Sequence, residues 1–133
     1  MSIELKKANE YEKAEQEKIP VEEKPAFHVA APVGWINDPN GFSWYQGQIH
    51  LFYQYHPYTT EWGPMHWGHS VSDDMIHWKN MPSVLAPDQE YDKRGCFSGS
   101  AVEKDGKHVL IYTGVSNVQM ENGSIQERQN QCI

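Results

Sequence analysis

The sequence predicts an all-β fold, a partial β-propeller of about one and a half blades preceded by a short N-terminal helix. Three observations predict it. Charge and aromaticity separate sharply along the chain, with 12 charged side chains (five Lys, seven Glu) but only one aromatic, Tyr11, in residues 1–24, and all five tryptophans in residues 35–78. From residue 41 onward, β-prone runs alternate with tight-turn residues. Two hairpins of similar pattern, "YQGQIHLFYQYH" and "KDGKHVLIYTGV", place Gly47 and Gly106 59 residues apart.

The elements follow in order. Residues 4–18 are rich in helix formers and carry Glu/Lys pairs at helical spacing, Glu4 with Lys7 and Glu10 with Lys13. The apolar face is thin (Leu5, Ala8, Tyr11, Ala14), so the helix is expected to be solvent-exposed and its charges solvated. The change in composition puts a boundary near Pro20 to Pro25, dividing residues 1–24 from residues 25–133. "GFSWY" and "QIHLFYQY" read as strands joined by a tight Gln46-Gly47 turn. "MHWGHSVS" follows as a strand, Asp73-Asp74 as a turn, and "IHWKN" as a short strand before a loop holding Pro82 and Pro87. "CFSGSAVE" and "HVLIYTGV" flank Asp105-Gly106, and "SIQERQNQCI" resumes an alternating pattern. Four short strands per unit, repeating every 40 to 60 residues or so, is the pattern of propeller blades. A closed propeller needs at least four blades, on the order of 200 residues, so the chain is too short for a complete one.

Composition narrows the function. Eighteen acidic against 11 basic residues give a net charge of -7 with no basic stripe, which argues against nucleic acid or an anionic membrane as partner. No apolar run approaches the roughly 20 residues that span a bilayer. The first residues carry no apolar signal core, so a cytoplasmic location is expected. Cys96 and Cys132 are too few for a disulfide framework and lack metal-ligand spacing. His66 and His69, three apart in a strand, would point to opposite faces with no third ligand nearby, so neither metal nor cofactor is expected.

The stretch most open to chemistry is "GWINDPNGF", residues 34–42. Asp-Pro-Asn-Gly suits a β-turn, with Pro setting φ and Gly accepting positive φ. A turn does not require Trp35 and Asn37 beside it, however. Trp offers a platform for a sugar ring, Asn donates to hydroxyls, and Asp38 lies between them as a carboxylate. Gln54, polar in an otherwise aromatic strand, either faces outward or hydrogen-bonds inward to a polar ligand. Trp62 sits in a Gly/Pro-bounded loop where packing gives a large aromatic less reason to be. "FSGS" has no nucleophile-elbow pattern, leaving Ser98 either a strand-start residue or a hydroxyl for substrate.

Six stretches in order, "FHVAAPVGWINDPNGF", "HLFYQYHP", "WGPMHWGHSVSDDMIHW", "LAPD", "GCFSGSA" and "QERQNQCI", resemble glycoside hydrolase family 32, the family of invertases and sucrose-6-phosphate hydrolases. The resemblance runs from about Pro25 to Ile133. It implies a five-bladed β-propeller with the active site in the central funnel, and hydrolysis of sucrose or sucrose 6-phosphate with retention at the fructosyl carbon. Asp38 matches the family nucleophile, and Trp35, Asn37, Gln54, Trp62, Phe97 and Ser98 match residues around the fructosyl unit. The family's acid/base Glu, in a Glu-Cys motif, and the Asp of its Arg-Asp-Pro motif have no counterpart in this sequence. The expectation is therefore an N-terminal part of a β-fructofuranosidase, inactive alone and needing the rest of the propeller as partner. The rival expectations are a non-catalytic sugar-binding module and a split half that needs a complementary chain.

Overall fold

The computed structural model describes residues 1–133. Helix α1, Ile3–Gln16, starts at Ser2, whose hydroxyl accepts from the Leu5 amide at 3.2 Å. Glu4 in the first turn and Lys13 in the last complement the helix dipole. A 3-10 turn over Val21–Glu23 leads into seven strands: β1 (Trp35–Tyr45), β2 (Gln48–His56), β3 (His66–Ser72), β4 (Lys79–Leu85), β5 (Gly95–Lys104), β6 (Lys107–Gln119) and β7 (Ile125–Cys132).

The strands form two antiparallel meanders, β1-β2-β3-β4 and β5-β6-β7. Each opens with a two-residue hairpin whose central residues both take positive φ, Gln46 and Gly47 at 48° and 80°, Asp105 and Gly106 at 53° and 74°. That backbone twist matches the twist of the strands it joins. β1 lies against β5, so the sheets meet along their first strands as neighbouring propeller blades do. A Cβ on Gly41 would stand 3.4 Å from that of Ala101, and Tyr45 Oη donates to Gly106 O at 3.0 Å. Residues about 60 apart are therefore level along the two strands.

The core fills the space between the sheets. Phe52 and Trp67 of the first sheet pack on Cys96 and Tyr112 of the second, with Val84, Leu85, Ala101 and Leu110 around them. Their burial is the main term holding the blades together. Polar ties give it register: the Trp67 indole donates to Phe97 O at 3.2 Å, and the Cys96 amide donates to Met65 O at 2.8 Å. His50 and His69 meet through ring nitrogens at 2.9 Å, while His108 reaches Ser43 Oγ across the seam at 2.9 Å.

Three expectations need correction. Asp38-Pro39-Asn40-Gly41 is not a turn but the middle of β1, paired with β2 on both sides and carrying two bulges, between Ile36 and Pro39 and between Asn40 and Ser43. Turn-forming residues serve equally well where a strand must absorb an extra residue. β4 begins at Lys79 and runs through Pro82, where a loop was expected; Pro is tolerated because β4 is an edge strand. The helix is not free in solvent. It packs on β4 through Leu5, Ala8, Asn9, Glu12 and Gln16, with Ala8 and Glu12 buried and Ala14 turned outward.

Candidate active site

β1 presents the central carboxylate by means of its first bulge. Ile36 pairs with Tyr55 and Pro39 with Tyr53, so Asn37 and Asp38 together face the single residue Gln54. A bulge of this kind re-aims side chains that regular alternation would send to opposite faces. Asp38 is exposed; its carbonyl accepts from Asn40 Nδ2 at 3.4 Å, while its carboxylate has no partner within the chain. Next to it the Trp35 indole donates to Asn37 Oδ1 at 2.8 Å. That bond fixes the amide so that the Asn37 NH2 group is left to donate outward.

β5 answers with a bulge of its own. Phe97 pairs with Thr113 and Ser100 with Ile111, so Ser98 and Gly99 face Tyr112 alone. β1 lies against β5, with Gly41 level with Ala101, so the strand carrying Asp38 runs beside the strand carrying Phe97 and Ser98. Gln54 is buried and directs Nε2 to Cys96 O at 2.9 Å, settling its orientation as inward and tying β2 to the strand that carries Phe97 and Ser98. Trp62, 51% exposed, stands edge-on to Phe97 with ring centroids 6.5 Å apart. The sequence-predicted residues thus fall on one seam: Trp35, Asn37 and Asp38 from β1, Gln54 from β2, Phe97 and Ser98 from β5, and Trp62 from the loop between β2 and β3.

Two residues that the sequence did not single out support this seam. Asn40 is buried, holds the Asp38 carbonyl and leaves Oδ1 without a partner. Asp92 is 1% exposed and accepts from the Gln89 amide at 2.7 Å and Tyr112 Oη at 2.8 Å, anchoring the entry to β5. Burial pushes its carboxyl above the usual carboxylate range. The histidine pair divides as the spacing suggested: His66 turns to Pro64 O at 3.0 Å, His69 to His50.

The seam thus carries an exposed carboxylate beside an oriented amide and an aromatic ring, on the first strand of one blade where it lies against the first strand of the next. Residues 28–133 match the glycosyl hydrolases family 32 N-terminal domain, and the chain belongs to that family. It is 53% identical over 109 residues to the sucrose-6-phosphate hydrolase of Escherichia coli, covering 82% of this chain and 23% of that protein. It is 45% identical over 130 residues to that of Zymomonas mobilis, covering 97% and 25%. Among solved structures, the Bombyx mori family 32 β-fructofuranosidase superposes with a TM-score of 0.78 at 42% identity, over 95% of this chain and 26% of that one. A variant of that silkworm enzyme has been solved in complex with sucrose. The chain spans about a quarter of the length of the curated relatives it matches.

Proposed function

We propose that the chain supplies the nucleophile and much of the fructosyl pocket of a retaining β-fructofuranosidase acting on sucrose or sucrose 6-phosphate. An Asp38 oxygen attacks the anomeric carbon of the fructosyl unit. The bond to the glucosyl oxygen breaks, and that oxygen takes a proton from a general acid. Water then displaces the aspartate, giving its proton to the deprotonated general acid and leaving fructose, a regenerated carboxylate and a regenerated acid. Asn37 donates to a sugar hydroxyl, Trp35, Trp62 and Phe97 enclose the ring, and Ser98 offers a hydroxyl from the second blade. The observation that carries this reading is the bulge that sets Asp38, exposed and unpartnered, beside Asn37 and opposite Gln54.

The general acid lies outside these residues, since the sequence has no Glu-Cys motif. Removing such an acid costs about 10²- to 10⁴-fold in rate, so the chain by itself is expected to bind sugar with little turnover. The same absence favours the second reading, a sugar-binding part without catalysis of its own. Grafting residues 25–133 onto the remainder of the Escherichia coli sucrose-6-phosphate hydrolase separates the two. Hydrolysis by the chimera, abolished by Asp38→Asn with the fold intact, is the expected result. Turnover that survives Asp38→Asn removes Asp38 from the mechanism, and sugar binding by a folded but inactive chimera favours the second reading.

A further inference from the structure

The helix seam holds a carboxylate that the sugar site does not use. Glu12 is 4% exposed on the face of α1 that meets β4, where Ser83 Oγ donates to its Oε1. No Lys, Arg or His forms an ion pair with it. The groups around it are polar and uncharged. On α1 these are Asn9, whose Nδ2 donates to Ser83 O at 3.3 Å and whose Oδ1 is buried without a partner. On β2 they are Tyr53 and Tyr55, whose buried hydroxyls also lack partners. On β3, Ser70 is turned to Asn80 of β4 at 2.9 Å. Lys6, Glu10 and Lys13 border the same cavity, of about 440 Å³, from the exposed side of the helix. A buried carboxylate hydrogen-bonded by Ser83 alone, with no cation beside it, is stable there as the acid and costly as the anion.

The seam also reaches the sugar site. Tyr11, one residue before Glu12, packs edge-on to Tyr58 with centroids 5.1 Å apart and donates its hydroxyl to Tyr58 O at 3.4 Å. Tyr58 opens the loop that continues through the Thr59–Glu61 hydrogen bonds to Trp62.

We propose that α1 is a proton-controlled strap: with Glu12 neutral it seats on β4 and, through Tyr11, steadies the loop that carries Trp62, and ionisation of Glu12 releases both. Desolvation pushes the Glu12 carboxyl up from 4.5 to about 7 in the seated helix. A raised pKa means that the seated state binds the proton more tightly. Seating is therefore fully supported below about pH 4.5, weakens by about tenfold per unit between there and pH 7, and is level above 7, where Glu12 is ionised in both states. The whole shift corresponds to roughly a 300-fold change in the seating equilibrium. The strap itself is independent of sugar chemistry; its consequence for Trp62 as a sugar platform rests on the function proposed above.

The test uses the full chain. Carbon-13 NMR of the Glu12 carboxyl, amide-exchange protection of α1 and the Trp62 indole resonance are followed from pH 5 to 9. The expected result is that the Glu12 carboxyl and the Trp62 resonance titrate together near neutrality, with α1 protection falling about tenfold per unit from pH 5 to about 7 and level above it. In Glu12→Gln, α1 stays protected and the Trp62 resonance stops titrating. In Tyr11→Ala, the α1 transition persists while Trp62 no longer follows it. A Glu12 carboxyl that titrates below pH 5, or α1 protection constant across the range, overturns the strap; these two readings stand even if Glu12→Gln fails to fold. A Trp62 resonance that still titrates in Tyr11→Ala overturns the link to the loop.

Discussion

Gly99 is where the fold leaves least room. Its backbone lies outside the left-handed region, so conformation alone would allow any residue. Space does not: a Cβ at this position would stand 1.9 Å from Ile111 O, 2.8 Å from Tyr112 Cα and 2.9 Å from Ile111 C. The first contact is about 1.4 Å short of the roughly 3.3 Å at which C and O normally meet. All three neighbours are backbone atoms of β6, so no side chain can swing aside. β5 and β6 must part at the bulge, stretching the ladder between the Phe97–Thr113 and Ser100–Ile111 pairs. Overpacking costs about 1–3 kcal/mol, and each weakened hydrogen bond about 0.5–1.5 kcal/mol more. Gly99→Ala is therefore expected to lower stability by about 3 kcal/mol, a change of roughly 100-fold in the unfolding equilibrium. Gly106→Ala is the control, because its Cβ would meet nothing within 4 Å and only its φ of +74° opposes the change. That should cost about 1–2 kcal/mol. Urea unfolding followed by near-UV circular dichroism, which reads the buried tryptophan environment, measures both. A loss at Gly99 below 1 kcal/mol, or no larger than at Gly106, refutes the argument that backbone proximity holds Ser98 in its bulge.

Trp62→Ala should leave stability within about 0.5 kcal/mol, because the ring is largely exposed, while weakening sugar binding in the chimera by about two- to tenfold. Calorimetric titration of the variant that shows unchanged affinity removes Trp62 from the pocket. His69 is held down to about 4 by burial and by neighbouring His50 and His108, so the folded chain refuses a proton that the unfolded chain accepts. Its contribution is present above pH 6.5 and lost as pH falls from there toward 4, up to about 3 kcal/mol in all. His69→Gln should flatten the fall in stability over that window by up to about 1.4 kcal/mol per pH unit, and an unchanged slope in urea unfolding at several pH values counts against it.

Local chemistry made parts of this fold legible and hid others. Gln46-Gly47 and Asp105-Gly106 announced their hairpins because a two-residue turn needs positive φ, and such turns prefer Gly or Asx. Asp-Pro-Asn-Gly used the same alphabet in a different structure, since a bulged strand also needs a Gly with positive φ, here Gly41 at 57°. Only pairing with β2 distinguishes the two, and pairing is not a local property. Glu12 was invisible for a related reason. In a helix where Glu recurs every few residues, nothing in sequence tells which one the docking face covers. Trp35, Asn37, Asp38 and Phe97 stand out as candidates in the sequence because they lie in dense, ordered motifs. Asn40, Gly99 and Asp92 act through backbone and buried contacts that appear only once β1, β5 and β6 are in place.

The division of labour at the seam follows from where the carboxylates sit. Retention requires two carboxyl groups about 5–5.5 Å apart, one ionised for attack and one able to hold a proton. Asp74 is kept ionised far from the seam by His77 and by the Ile76 and His77 amides, in the turn after β3. Asp92 is committed to Tyr112 and Gln89, and Glu12 lies under the helix. Glu61, on the loop beside Trp62, is exposed. Among these carboxylates Asp38 alone lies exposed on the bulged strand β1, which supports its proposed role in attack. On the function proposed above, the two blades supply the nucleophile and part of the fructosyl pocket, and an acid from another part of the funnel completes the chemistry.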